Sequence, residues 1–81
     1  MAEREGCLLI KLQHGVVGMP DRVLVRPMRN DVFIEFKRQG EKPTRIQEYW
    51  HGRLRRMGKQ VEVVRTLHGF LKVLTGSTKG V

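Results

Sequence analysis

Hydrophobic positions recur along this chain with two periods, two residues and about 3.6 residues, and the switches between them mark out the elements. In Cys7–Leu12, the side chains of Leu8, Ile10 and Leu12 share one face of an extended chain. Those of Leu9, Lys11 and Gln13 share the other, which predicts a first strand. Gln13–Pro20 reads as a loop punctuated by Gly15, Gly18 and Pro20, although it carries Val16, Val17 and Met19. Arg22–Arg26 is centred on Val23, Leu24 and Val25, and Val32–Lys37 is β-branched and aromatic. Between them lie the turn residues Pro27–Asp31, with Asn30 suited to left-handed geometry, so the two runs predict an antiparallel hairpin. Gln39–Lys42 is a polar loop. Thr44 followed by Gln47 makes a capping-box pattern ahead of Ile46, Trp50, Leu54 and Met57 at helical spacing, and Gly58 is the stop. Gln60–Arg65 predicts a fourth strand. Thr66 caps a last helix with an apolar stripe of Leu67, Phe70 or Leu71, and Leu74.

The order β-β-β-α-β-α implies an α/β fold, a small mixed sheet flanked by helices. The passage from the third strand through a helix to the fourth is most simply a right-handed crossover, which makes those two strands parallel. The 81 residues allow one domain spanning 1–81, with 1–6 and 76–81 expected to fray. A chain of this size buries only about 60% of the surface it exposes when unfolded, so a second subunit would help it.

The charge balance narrows the partners. Sixteen Lys and Arg against eight Asp and Glu leave a net charge of +8, which points to a polyanion, nucleic acid first. The single cysteine, Cys7, forms no internal bridge, so a disulfide scaffold is excluded and a reducing compartment, the cytoplasm, fits. No apolar run approaches the about 18–20 residues of a membrane-crossing helix, and Met1–Gly6 is unlike a signal peptide. No small-molecule cofactor is expected.

The pleat then places the candidate chemistry. Val32, Ile34 and Phe36 point one way, and Phe33, Glu35 and Lys37 the other, so a carboxylate and an ammonium sit side by side. Pairing Arg22–Arg26 against Val32–Phe36 brings Asp21 to the Glu35–Lys37 end of the sheet. Two hard oxygen ligands with open positions suit Mg²⁺ or Mn²⁺, which keep waters and take up phosphate oxygens. An ion so held polarises a phosphodiester, while the lysine orients or deprotonates the attacking water. The plain alternative is a surface Glu35–Lys37 ion pair, with Asp21 a turn residue after Pro20.

Gly18-Met19-Pro20-Asp21, then Phe33-Ile34-Glu35-Phe36-Lys37, then Gln47 on the next helix, resembles the PD-(D/E)XK nuclease superfamily, and within it the virus-type replication-repair nuclease (VRR-NUC) branch. Leu54 to Val64 resembles that family's helix, glycine and fourth strand, so the likeness runs from about Cys7 to Leu74. The resemblance implies a restriction-endonuclease-like core. It implies that Asp21, Glu35 and the backbone carbonyl of Phe36 bind the metal, that Lys37 serves the water, and that Gln47 lies near the site. It also implies a phosphodiesterase acting on DNA, including branched or junction DNA, and a homodimer like the small stand-alone viral members, in a bacterial or phage-infected cell. One departure stands out: the family has a helix carrying an acidic residue ahead of the first strand. Only Met1–Gly6 precede Cys7 here, so most of that helix is expected to be missing, and its acidic role is not carried over to Glu3 or Glu5.

Other residues have two readings each. Gln47 either caps its helix through Thr44 or belongs to the site, and both roles can coexist. His14 is a loop histidine or a proton carrier; His51 and His68 read as surface or packing residues, and Cys7 as a small hydrophobe. Trp50 reads as core rather than as a base-stacking ring. Tyr49, Arg53 and Arg56 form a face that is either solvated or DNA-contacting, while Arg38, Lys42 and Arg45 would meet the backbone flanking the cut. Val16, Val17 and Met19 suit packing against a second subunit. The functional alternatives are a metal-dependent DNA endonuclease, a non-catalytic nucleic-acid-binding module that keeps the fold, and, last, a structural protein of a larger complex.

Overall fold

The elements form where the periodicity places them. The computed structural model describes residues 6–12 and 15–76. In chain order it contains β1 (Leu8–Lys11), β2 (Arg22–Val25), β3 (Val32–Phe36), α1 (Arg45–Arg56), β4 (Gln60–Val64) and α2 (Leu67–Thr75). The four strands make one sheet in the order β1-β2-β3-β4. β1 and β2 are antiparallel, as are β2 and β3, whereas β3 and β4 are parallel, as a crossover through α1 requires. The expected mixed α/β fold is therefore the one observed. Glu3, Glu5, Gln13, His14 and the chain ends expected to fray, apart from Gly6 and Gly76, lie outside the described residues. Gly76 itself is ordered as the left-handed C-cap of α2, with φ of 83°.

Cys7, Leu24, Val32, Ile34 and Val64 pack with Phe70, Val73 and Leu74 of α2 to form the core. Each fully buried aliphatic side chain there contributes about 1.5–3 kcal/mol relative to an exposed one. The stripe of α2 differs from expectation: Leu67 is exposed and Val73 is buried in its place. β1 lies at a sheet edge with Leu8, Leu9 and Ile10 all exposed, so neither of its faces is fully covered.

α1 covers the opposite face of the sheet. Thr44 Oγ1 accepts from the Gln47 backbone N–H, and Gln47 Oε1 accepts from the Thr44 backbone N–H, completing the capping box; such a cap contributes about 1 kcal/mol. The buried residues of α1 are His51 and Leu54, while Ile46 and Met57 are exposed and Trp50 is half-buried. The expected stripe is thus rotated: the inward face is Gln47, His51 and Leu54. A polar face turns inward because it meets a carboxylate, as described below.

Two further differences concern the β2–β3 turn. The left-handed residue is Met28, with φ of 59°, not Asn30. Arg26 is buried, and its guanidinium donates to the carbonyls of Asn30 and Val73 and to Gln60 Oε1. This cation ties the turn to the end of α2 and to β4, so it is a staple of the fold rather than part of a polyanion-binding surface. Among the described residues no helix is long and apolar enough to cross a membrane.

Candidate active site

The hairpin register sets the site. Arg22 pairs with Ile34, so one step further along the antiparallel ladder Asp21 lies across from Glu35, and opposed residues present their side chains on one face. Asp21 is held there from the other side, since its carbonyl accepts from the Leu12 backbone N–H at 2.8 Å, extending the β1–β2 ladder. The segment leading to it is pressed onto α1 at Gly18. With φ of 93°, a Cβ on Gly18 would sit 2.8 Å from Ile46 Cγ1 and 2.9 Å from the Ile46 carbonyl oxygen. Only a residue without a side chain allows that approach.

The two carboxylates differ in environment. Asp21 is exposed and pairs with Arg22 Nη1 at 3.2 Å. Glu35 is 8% exposed. Burial, and then the Asp21 charge, push its carboxyl above the ordinary value, against an opposing pull from Lys37. The ammonium of Lys37, two residues on and half-buried, is therefore close enough to act on Glu35 electrostatically. Gln47 Nε2 donates to Glu35 Oε2 at 3.2 Å while its Oε1 completes the capping box, so one side chain has both roles. Arg38 and Lys42 are exposed on the loop after β3, and Arg45, Arg53 and Arg56 on the outside of α1. The structure thus brings Asp21, Glu35, Lys37 and Gln47 together and leaves the five cations around them on the surface.

His51, expected as a surface or packing residue, is buried against the site. At 2% exposure, it points Nε2 at Glu35 Oε1 across 3.9 Å, too far for a hydrogen bond, and Nε2 has no hydrogen-bond partner among the described residues. The usable signal was its i+4 spacing from Gln47, which puts both on one face of α1. Burial, and then Arg55, lower its pKa below the ordinary 6.5. In that window the unfolded chain binds a proton that the folded protein does not, so His51 withdraws stability as pH falls from 6.5 through its folded value. Glu35 acts with the opposite sign, since its folded pKa lies above the ordinary 4.5 and its ionisation costs stability as pH rises. Urea midpoints of metal-free protein at pH 7.5 and 5.5 should therefore fall more on acidification for wild type than for His51→Gln.

The donor set suits a hard divalent ion. Among the described residues no three His, Cys, Asp or Glu side chains cluster, so two carboxylates and main-chain oxygen are what the site offers. A cation between Asp21 and Glu35 would relieve the mutual repulsion that the raised Glu35 pKa records. Such a sparse oxygen set fits an ion that keeps several waters.

No family model matches the chain. A protein of Acyrthosiphon pisum secondary endosymbiont phage 1, named "Putative nuclease p44", is 45% identical over 47 residues, which is 58% of this chain and 50% of that protein. The chain thus matches about half the length of this curated relative. A solved structure described as a VRR_NUC domain superposes with a TM-score of 0.81 at 32% identity, covering 91% of this chain and 82% of its own.

Proposed function

This chain belongs to the VRR_NUC family, and on that premise we propose that it is a metal-dependent DNA endonuclease selective for branched DNA. The observation that carries the reading is the convergence of Asp21, Glu35 and Lys37 at one sheet end, with Gln47 bonded to Glu35. Asp21, Glu35 and the Phe36 carbonyl are the residues that would hold Mg²⁺ or Mn²⁺, which supplies a polarised phosphate and a water of lowered pKa. Everything else falls to the chain. Gln47 fixes the Glu35 carboxylate, leaving Oε1 on the side of His51. Lys37 orients the water and stabilises its negative form. The water gives up a proton to bulk solvent, its oxygen bonds to phosphorus, the P–O ester bond opposite it breaks, and the departing oxygen takes up a proton from bulk solvent. Arg38, Lys42, Arg45 and Arg56 hold the flanking phosphates, a role their exposure permits.

The whole of residues 1–81 acts as one nuclease domain in this reading, and the active form is a homodimer that sets two sites on one junction. Val16 and Val17 are exposed, and Leu9, Phe36 and Leu67 line an apolar groove of about 410 Å³ beside Lys37. Either face gives a second copy apolar surface to cover. A phage, like the matched relative's source, is the proposed origin. Incubating the protein with a four-way junction and with linear duplex of the same sequence tests the function. Cleavage is expected with Mg²⁺ or Mn²⁺, faster on the junction, and none in EDTA. Salt-sensitive binding with no cleavage under any metal would instead support the non-catalytic module.

A further inference from the structure

Along the flank of α1 the exposed Tyr49 and Arg53 stand beside the half-buried ring of Trp50. Tyr49 is 51% exposed and meets the half-buried Trp50 edge-on, with centroids 5.3 Å apart and planes at 79°. The Arg53 guanidinium lies 5.3 Å from the Trp50 centroid and 5.9 Å from that of Tyr49, and its Nη1 donates to the Tyr49 hydroxyl at 3.4 Å. At about 100° per residue, Trp50 stands on the shoulder of α1 beside the inward-facing Gln47, and Arg53 and Tyr49 follow outward. Arg45 and Arg56 flank Tyr49 on the outermost side. Gly52 leaves a notch between them, in which Arg56 Nη1 approaches to 3.3 Å from where a Cβ would be.

Packing within the domain does not account for the exposed Tyr49 and Arg53. The inward contacts of α1 are made by His51 and Leu54, and three arginines on one exposed flank repel one another. A ligand with both an apolar π-face and negative charge satisfies the rings and the cations together. A nucleotide has both, and stacking of a base on an aromatic side chain tolerates any sequence. Bases inside a duplex have their faces covered by neighbours, so a ring standing off a helix surface reaches only an unpaired, unstacked one.

We propose that Tyr49, braced by Trp50, is a stacking platform on the outer flank of α1 for an unpaired DNA base, with Arg53 bridging the ring and the backbone. This rests on the nuclease reading above and gives it a substrate feature: DNA with an unpaired segment that passes over the outer flank of α1. Tyr49 lies two residues from Gln47, the partner of Glu35, but about 200° around α1, so the platform faces outward and a strand held at the site reaches it by passing over the helix.

Trp50 is the sole tryptophan, so its fluorescence reports on the platform directly. Titration with a single-stranded oligothymidine and with a duplex of equal length, both in EDTA, separates binding from hydrolysis. Wild type should be quenched by the single strand. Tyr49→Ala should lower the ratio of single-strand to duplex affinity by about tenfold, within the range measured for base–aromatic stacking, and Tyr49→Phe should keep it. An unchanged ratio in Tyr49→Ala, or equal losses on both DNAs, overturns the platform. Junction cleavage by wild type in Mg²⁺ is read in parallel. Cleavage together with an unchanged ratio sinks the platform alone. A lost ratio without cleavage under any metal keeps the platform and sinks the nuclease reading.

Discussion

Lys37→Ala is expected to lower junction cleavage by about 10²–10⁴-fold, the usual contribution of a positioned acid–base group, without weakening metal binding. The pleat sets Lys37 on the face of Glu35, and its ammonium already pulls the Glu35 pKa down. That same charge repels a divalent cation, so its removal leaves affinity for Mn²⁺ equal to or above that of wild type. Loss of rate with retained metal affinity separates a lysine that serves the water from one that merely pairs with Glu35. Single-turnover cleavage and calorimetric titration of Mn²⁺ read the two quantities.

Glu35→Gln should raise the stability of the metal-free protein and abolish its stabilisation by Mg²⁺. Glu35 is buried, beside Asp21, and its pKa is raised. A carboxyl whose folded pKa exceeds its unfolded value favours folding while protonated and loses that contribution as pH rises through the folded value. Above that pH the ionised form is a net cost, which glutamine removes while still accepting from Gln47. In wild type, metal at about 100 times its Kd adds roughly 2.7 kcal/mol, or about 10–20 °C in Tm for a chain this small. Thermal melts at pH 7.5 with and without Mg²⁺ should show that gain in wild type and almost none in Glu35→Gln. The variant that is more stable without metal is then the one that cannot cut, a trade of stability for function.

Most of the architecture was legible because local signals agreed. Alternation in Val32–Lys37, the capping box at Thr44, the N-cap at Thr66 and the turn residues Pro27–Asp31 all specify one topology. A five-residue turn alone would pair Arg26 with Val32 and set Asp21 across from Lys37. The observed register pairs Leu24 with Val32 and sets Asp21 across from Glu35, a shift of two that keeps every side chain on its face, so the sheet end that gathers the site was legible and the exact partner was not. The face of α1 was not legible. Hydrophobic periodicity favours Ile46, Trp50 and Met57, but Glu35 demands polar neighbours, and Gln47 and His51 turn inward to meet it. Arg26 was hidden for a similar reason, since its acceptors at Asn30, Gln60 and Val73 come together only in the folded chain. The rotation of α1 also leaves Trp50 half-buried on the shoulder of the helix, beside the exposed Tyr49.

The central claim is that Asp21 and Glu35 hold a divalent ion that Lys37 serves with water. It is tested most directly by cleavage of a four-way junction in Mg²⁺ by wild type, Glu35→Gln and Lys37→Ala, prepared identically and shown to be folded. The account predicts products from wild type alone, lost on adding EDTA. Cleavage that persists in both variants, or that ignores EDTA, would contradict it.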